Sequence, residues 1–180
     1  MLPPELYSAP FQPRQLQLFL KSGKGERQKV IVKATLRDSA DVGRITTETI
    51  NAVYPHYYPE GAVKFFLEHH SSEHIAKDIE EGNVWLLLTD EGVPAGTVTV
   101  NGCEINRLFV LPEYQGKGYG KALLDHAEKL IAAEYQVIKL SASFPAKNIY
   151  LKRGYISTGF FIIDTENGDK LCYDYMEKVL

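Results

Sequence analysis

The 180-residue sequence predicts an α/β fold of the mixed (α+β) kind, in which helices flank a mixed β-sheet. Three observations support this class. Short segments with alternating apolar residues recur along the chain, as in half-buried strands. Amphipathic segments with helical spacing lie between several of them. Turn signals at Asn101-Gly102 and at Glu166–Asp169 join neighbouring strands into hairpins.

Residues 1–29 differ in composition from the rest of the chain. Four prolines lie within the first 13 residues, and the glycine-containing segment Lys21–Gly25 follows them. Such clusters are typical of extended segments and turns, with Leu16–Leu20 as a short strand or helix between them. We therefore predict an N-terminal arm of unknown role over residues 1–29 and a single domain over residues 30–180.

The elements of the domain follow from local patterns in chain order. Lys29–Leu36 alternates as a strand does, and Asp38 is a suitable N-cap for a helix that runs to about Val53. The proline-containing segment Tyr54–Pro59 ends that helix. Two short amphipathic helices are predicted next, over Gly61–His70 and His74–Glu81.

The rest of the chain alternates strands and helices. Strands are predicted at Val84–Thr89, Val93–Val100, Glu104–Val110, Val137–Ser143, Ile156–Ile163 and Lys170–Met176. One helix is predicted over Lys117–Tyr135 and another from about Pro145 to Arg153, because proline suits the first turn of a helix.

Composition narrows the class of protein. Hydrophobic residues make up 44% of the chain, and a net charge of −3 disfavours a broad nucleic-acid surface. Cys103 and Cys172 have neither the number nor the spacing of a disulfide scaffold. We find no apolar run long enough for a membrane span and no signal-peptide pattern. We therefore predict a cytoplasmic protein without nucleic-acid or membrane partners.

The run Gln115–Gly120 is the most informative motif. It follows the apolar segment Ile105–Val110 and opens an amphipathic helix. Its three alternate glycines lack the Cβ atoms that would keep a ligand away from the backbone. The first N–H groups of a helix have no intrahelical partner and favour an anion. The run therefore predicts a phosphate-binding turn.

Spacing excludes three familiar glycine loops. A Walker loop needs four residues between its glycines and a hydroxyl residue after its lysine, whereas only three residues lie between Gly116 and Gly120 and Lys121 is followed by alanine. The dinucleotide and kinase loops need their third glycine one residue later. The pattern that fits is [R/Q]-x-x-G-x-[G/A], where x is any residue. Gln115, Gly118 and Gly120 form it.

At these residues the sequence resembles the GNAT-type N-acetyltransferases, whose motif A has this pattern and binds the pyrophosphate of acetyl-CoA. Glu104–Tyr114 resembles the family's fourth strand and the bend before the loop. Tyr150, followed by Gly154-Tyr155, resembles a second element of the family. One departure is Ser143, at a position where asparagine is common, but serine caps a helix about as well.

The resemblance implies a GNAT-like, mostly antiparallel sheet of six to seven strands flanked by about four to five helices. Its fourth and fifth strands would splay apart around the pantetheine arm of acetyl-CoA. Asn148 resembles a position that contacts the arm or the pyrophosphate region. The implied cofactor-binding residues are Leu108, Phe109, Val110, Gln115, Gly116, Lys117, Gly118, Tyr119, Gly120, Lys121, Asn148 and Tyr150.

The resemblance also implies the catalytic groups. Tyr150 would be the general acid, since a phenol is protonated at neutral pH and can donate to a leaving thiolate. Glu104 would be the general base, directly or through water, as in some members of the family. The alternative for Tyr150 is a helix tyrosine packed on the sheet, and the alternative for Glu104 is a solvent-facing strand residue beside the Asn101-Gly102 turn. The acceptor amine would lie near the aromatic segment formed by Tyr54, His56, Tyr57 and Tyr58.

Two alternatives come from other classes of protein. A CoA-binding regulatory module could have this fold with little catalysis, but the presence of both Tyr150 and Glu104 favours an enzyme. His70, Glu73 and His74 match a zinc-hydrolase motif, H-x-x-E-H. Ser71-Ser72 indicate a break between helices there, so we expect no metal. The acceptor is not identified by the sequence, and a homodimer is plausible.

Overall fold

A computed structural model describes residues 29–180 of the chain. Its strands are β1 (Val30–Lys33), β2 (Val84–Leu88), β3 (Pro94–Asn101), β4 (Glu104–Val110), β5 (Val137–Ala142), β6 (Ile156–Asp164) and β7 (Lys170–Val179). Its helices are α1 (Ser39–Val53), α2 (Glu60–His69), α3 (Ser72–Glu80), α4 (Tyr119–Ala132) and α5 (Phe144–Leu151). These elements confirm the predicted fold class. The predicted segment Leu16–Leu20 lies outside the described residues.

The strands form one sheet in the order β1-β2-β3-β4-β5-β7-β6. Every neighbouring pair is antiparallel except β4 and β5, which run parallel. Those two strands pair only at Glu104 with Lys139 and at Ile105 with Leu140. Beyond these two pairs they separate, so a gap opens between the second half of β4 and the end of β5. The predicted splayed strands are therefore present.

A β-bulge in β4 lies where the gap begins. Thr99 and Val100 are adjacent on β3, yet their partners on β4 are Arg107 and Ile105, so Asn106 is the extra residue. The extra residue reverses the alternation of side chains along the strand. Consequently Arg107 lies on the opposite face of the sheet from Ile105, although only one residue separates them.

Each face of the sheet has its own hydrophobic core. Helices α4 and α5 cover one face, where Leu123, Leu124 and Ala127 pack on the strands. The other face is covered by α1, α2 and α3. The apolar residues of α4 recur with helical spacing, which turns one side of this helix to the sheet. Within residues 29–180, no helix has the length and apolar composition needed to cross a membrane.

Candidate active site

The gap between β4 and β5 is lined by main-chain groups of β4. The Leu111 N–H donates to the Ala95 carbonyl at 3.0 Å, which makes these two residues a hydrogen-bonded pair. Since such pairs alternate along antiparallel strands, Phe109 also bonds to β3, whereas the main-chain groups of Leu108 and Val110 point away from β3 into the gap. The predicted ligand contact of the Phe109 backbone stays a prediction, and in this register its main-chain groups face β3.

The carbonyl of Val110 already has two partners. It accepts hydrogen bonds from Thr49 Oγ1 at 3.1 Å and from Gln115 Nε2 at 2.9 Å. These bonds attach α1 and the start of the glycine run to the end of β4. The side chain of Gln115 therefore anchors the loop to the end of β4. Because the carbonyl of Val110 is already occupied, Val110 can offer only its N–H to a ligand.

The glycine run forms a turn with the geometry of an anion site. Gly116 and Gly118 have φ values of +71° and +78°, which glycine adopts readily and other residues rarely do. Gly118 precedes α4, and its carbonyl accepts the first intrahelical hydrogen bond from Ala122. The N–H groups of the first turn therefore have no intrahelical partner. A Cβ at Gly116 would meet nothing within 4 Å, so the space beside Gly116 is open.

Three lysines surround this turn in different ways. Lys121 pairs with Asp125 one helical turn away, with an Nζ–Oδ2 distance of 2.7 Å, so its charge is partly engaged. Lys117 Nζ lies 5.5 Å from the centre of the Tyr114 ring. Lys29, which sequence reasoning missed, donates from Nζ to the Lys117 carbonyl at 2.9 Å. No local motif marks Lys29, because only the tertiary fold brings this residue beside Tyr119 at the start of α4.

Tyr150 lies on α5 and is buried, with 8% of its surface exposed. Its ring meets the Tyr155 ring edge-on, with the centroids 5.5 Å apart. Among residues 29–180 its hydroxyl has no hydrogen-bond partner, whereas the hydroxyl of Tyr155 donates to Glu128. Burial raises the pKa of Tyr150 well above its ordinary value. The hydroxyl therefore stays protonated at neutral pH and is available as a proton donor.

Glu104 begins β4 at the closed end of the gap. It is half-buried, and its Oε1 accepts a hydrogen bond from the Tyr175 hydroxyl at 3.2 Å. Burial, followed by the charge of Glu104, raises the pKa of Tyr175, so this hydroxyl remains a donor to the carboxylate. The contact holds one carboxylate oxygen and leaves the other for a second partner.

The four aromatic residues predicted to line the acceptor site do not form one wall. Tyr54 and Tyr58 are buried, while His56 and Tyr57 are exposed. The Tyr54 ring packs edge-on against Phe66 with the centroids 4.6 Å apart. The two buried tyrosines therefore belong to the hydrophobic core on the face of the sheet that α1, α2 and α3 cover.

Ser143 does not cap α5 with its side chain, contrary to expectation. Its backbone has the extended conformation of an N-cap residue, but its Oγ accepts from the Tyr54 hydroxyl at 3.2 Å. The Tyr58 hydroxyl instead accepts the Phe144 N–H at 2.8 Å. A tyrosine from a distant segment thus satisfies the first N–H group of α5, and this ties the Tyr54–Tyr58 segment to the end of β5.

The H-x-x-E-H motif does not lie on one helix. α2 ends before His70, and Ser71 is the N-cap of α3, where its side chain accepts the His74 N–H. The His74 ring donates from Nδ1 to the His69 carbonyl at 3.0 Å. In the part of the chain that the structure describes, no three His, Cys, Asp or Glu side chains gather as metal ligands. The serine pair accounts for the break.

The buried imidazole of His70 predicts a pH-dependent stability. Burial, followed by the charge of Arg107, lowers the pKa of His70 to about 3. The unfolded chain takes up a proton near pH 6.5 and the folded protein does not, so stability should fall as the pH drops from 6.5 towards 3. We expect His70→Gln to reduce this slope by up to about 1.4 kcal/mol per pH unit.

Urea unfolding at several pH values between 4 and 7 measures the effect. His56→Gln, at an exposed position on the preceding turn, is the control. A stability slope that is the same in both variants and in the original protein would contradict the role given to His70.

A mixed sheet whose fourth and fifth strands separate, with a glycine turn at the end of the fourth, defines the fold class of the N-acetyltransferases. Residues 53–165 match the family model described as the acetyltransferase (GNAT) domain. That match covers more than half of the chain, and the chain belongs to the GNAT family.

Relatives of known name agree with this assignment. The peptidyl-lysine N-acetyltransferase YjaB from Salmonella typhimurium is 28% identical over 92 residues, which are 51% of this chain and 63% of that protein. The match thus covers less than two thirds of the relative. Among solved structures, a GCN5-related N-acetyltransferase from Rhodopseudomonas palustris has a TM-score of 0.78 and 23% identity, covering 88% of this chain and 100% of that one.

A second solved structure is that of the PaiA N-acetyltransferase from Thermoplasma acidophilum in complex with coenzyme A. Its TM-score is 0.64 at 22% identity, and the match covers 86% of this chain and 100% of that one. At these identities, both structural matches establish the fold.

Proposed function

We propose that this protein transfers an acetyl group from acetyl-CoA to a primary amine, by direct attack in a ternary complex. The observation that carries the proposal is the open glycine turn at the end of β4, beside the gap between β4 and β5. The coenzyme A bound to the PaiA relative and the peptidyl-lysine acetyltransferase name of YjaB support donor and reaction. The acceptor is a primary amine and need not be a lysine side chain.

The residues of the turn and the gap fit the donor. The first-turn N–H groups of α4 at Gly120 and Lys121 would hold the pyrophosphate, with Lys29 and Lys117 adding positive charge. Main-chain groups of Leu108 and the N–H of Val110 would bind the pantetheine arm as a neighbouring strand does. Asn148 is exposed on α5 and is available for the same ligand. Bound acetyl-CoA would supply the activated acetyl group as a thioester.

Two side chains of the protein would then donate and accept the protons of the reaction. Tyr150 holds a proton that it can donate to the leaving thiolate, because burial keeps its phenol neutral. Glu104 accepts a proton from the amine, directly or through water, while Tyr175 fixes the orientation of its carboxylate. No covalent intermediate on the protein is needed in this scheme.

Free thiol release from acetyl-CoA, measured with a panel of amines, tests the proposal, and calorimetry measures CoA binding independently. We expect CoA to bind and at least one amine to accelerate thiol release. Glu104→Gln should lower kcat by at least about tenfold while leaving CoA affinity unchanged. Binding of CoA without turnover for any amine would instead favour a regulatory CoA-binding module, and absence of CoA binding would refute the donor.

A further inference from the structure

A cavity of about 340 Å³ lies on the α2–α3 face of the sheet, where β4 and β5 begin to separate. Asn106, the extra residue of the bulge, and Ser141 on β5 contribute to its lining, so it adjoins the closed end of the gap. The other polar side chains of its wall include His69, His70, His74, Lys77, Asp78 and Arg107. This volume suits a small ligand or the end of a larger one.

Arg107 is the most unusual group in the wall. It is only 4% exposed, and Nη1 makes both of its hydrogen bonds, to Asp78 Oδ2 and to Thr99 Oγ1, each at 2.9 Å. Nε is buried without a partner, and within residues 29–180 Nη2 has none either. The Nε–Nη2 edge is the side of a guanidinium that binds a carboxylate with two parallel hydrogen bonds. In Arg107 that edge is unused.

The charges around the cavity favour an anion. Among residues 29–180, Asp78 is the one acidic side chain in the wall, and it is already paired with Arg107. Lys77 adds a positive charge that Glu81 offsets only in part, since Nζ and Glu81 Oε1 are 4.0 Å apart at the surface. Burial lowers the pKa of both His69 and His70, so these rings are neutral near pH 7. The Nδ1 atom of His70 is also buried without a partner, and a neutral imidazole can donate a hydrogen bond from it.

We propose that this cavity binds a carboxylate on the acceptor, with the Nε–Nη2 edge of Arg107 as its main partner. The acceptor class is then an amine that carries a nearby carboxylate, such as an amino acid. This inference rests on the proposed function, because it assumes that the adjacent gap holds the acetyl donor. The bulge at Asn106 is what places Arg107 in the wall of the cavity, since regular alternation would put its side chain on the other face.

The wild-type protein itself can test the proposal. The probes are the twenty standard amino acids, each as the free acid and as the α-carboxamide. The N-acetylated forms of both sets are included because they would be the products of the reaction. Thermal shifts of the CoA-saturated protein report binding, and thiol release reports turnover. We expect at least one acid to bind and to exceed its amide by about 10- to 100-fold in affinity or kcat/KM, as for a charge-assisted bidentate contact.

A substitution then assigns the effect to Arg107. Arg107→Lys retains a positive charge beside Asp78 but lacks the two-pronged edge, and it should reduce the preference for acid over amide to less than about threefold, with CoA affinity unchanged. Arg44→Lys is the control, since Arg44 also pairs with an aspartate but lies on α1 away from the cavity. The control should retain the preference.

The outcomes separate this inference from the proposed function. If CoA binds but no acid produces a thermal shift, or the amides match the acids, the carboxylate site is wrong and the acetyltransferase proposal stands. A preference for acids that survives in Arg107→Lys would also overturn the role of Arg107. If CoA itself does not bind, the proposed function fails first.

Discussion

Tyr150→Phe is expected to lower kcat by about 10²- to 10⁴-fold, the range typical for loss of a general acid. The Michaelis constant for acetyl-CoA should change little, because the ring remains and only the hydroxyl is removed. Stability should also change little, since this hydroxyl makes no hydrogen bond within residues 29–180. Steady-state kinetics with the acceptor found by the amine panel, together with a thermal melt, measures all three.

The neighbouring Tyr155→Phe is a matched control. Tyr155 packs edge-on against Tyr150, but its hydroxyl donates to Glu128 at 3.1 Å. Removing it should cost about 1 kcal/mol of unfolding free energy and leave kcat nearly unchanged. If Tyr150→Phe has the same kcat as the original protein at every pH from 6 to 9, the acid is another group.

Gly118→Ala should weaken CoA binding by about 5- to 30-fold. At its φ of +78° a side chain is strained by about 1–2 kcal/mol, and the new Cβ would lie 2.7 Å from Lys29 Nζ, which must move. The loop would relax away from the geometry that aims its N–H groups at the pyrophosphate. Calorimetric titration with CoA measures the loss.

Gly120→Ala is the control within the same motif. Gly120 lies in the first turn of α4, and a Cβ there would meet Val110 Cγ2 at an ordinary 3.8 Å. CoA affinity should change by less than about twofold, and α4 should gain up to about 1 kcal/mol because alanine favours helix. Equal losses in the two variants would mean that close approach of the ligand, and not backbone strain, decides the effect.

Much of the fold was predictable because its signals are local. Alternation of apolar residues set the strands to within a few residues, and proline, glycine and serine marked the turns between them. The glycine run predicted its own geometry, since positive φ angles at Gly116 and Gly118 follow from residue type. The predicted helix break at Ser71-Ser72 is also present in the structure.

The functional surroundings were less predictable because they depend on register and on packing between distant segments. A tyrosine next to prolines has the same local pattern in a binding loop and in a core, and only the tertiary contacts bury Tyr54 and Tyr58. Lys29 is separated from the loop it contacts by 88 residues. The main chain of Phe109 is used by β3 because of strand register, which side-chain patterns do not encode.

By itself, the sequence determined the class of fold and the geometry of the glycine turn, since both follow from short-range patterns of apolar residues and glycines. The tertiary structure alone decided which side chains line the cavity beside β4. One extra residue in β4, Asn106, reverses the strand's alternation and turns Arg107 towards Asp78 and the cavity. A bulge of this kind reflects the pairing of two strands, so its effect appears only once β3 and β4 are in register.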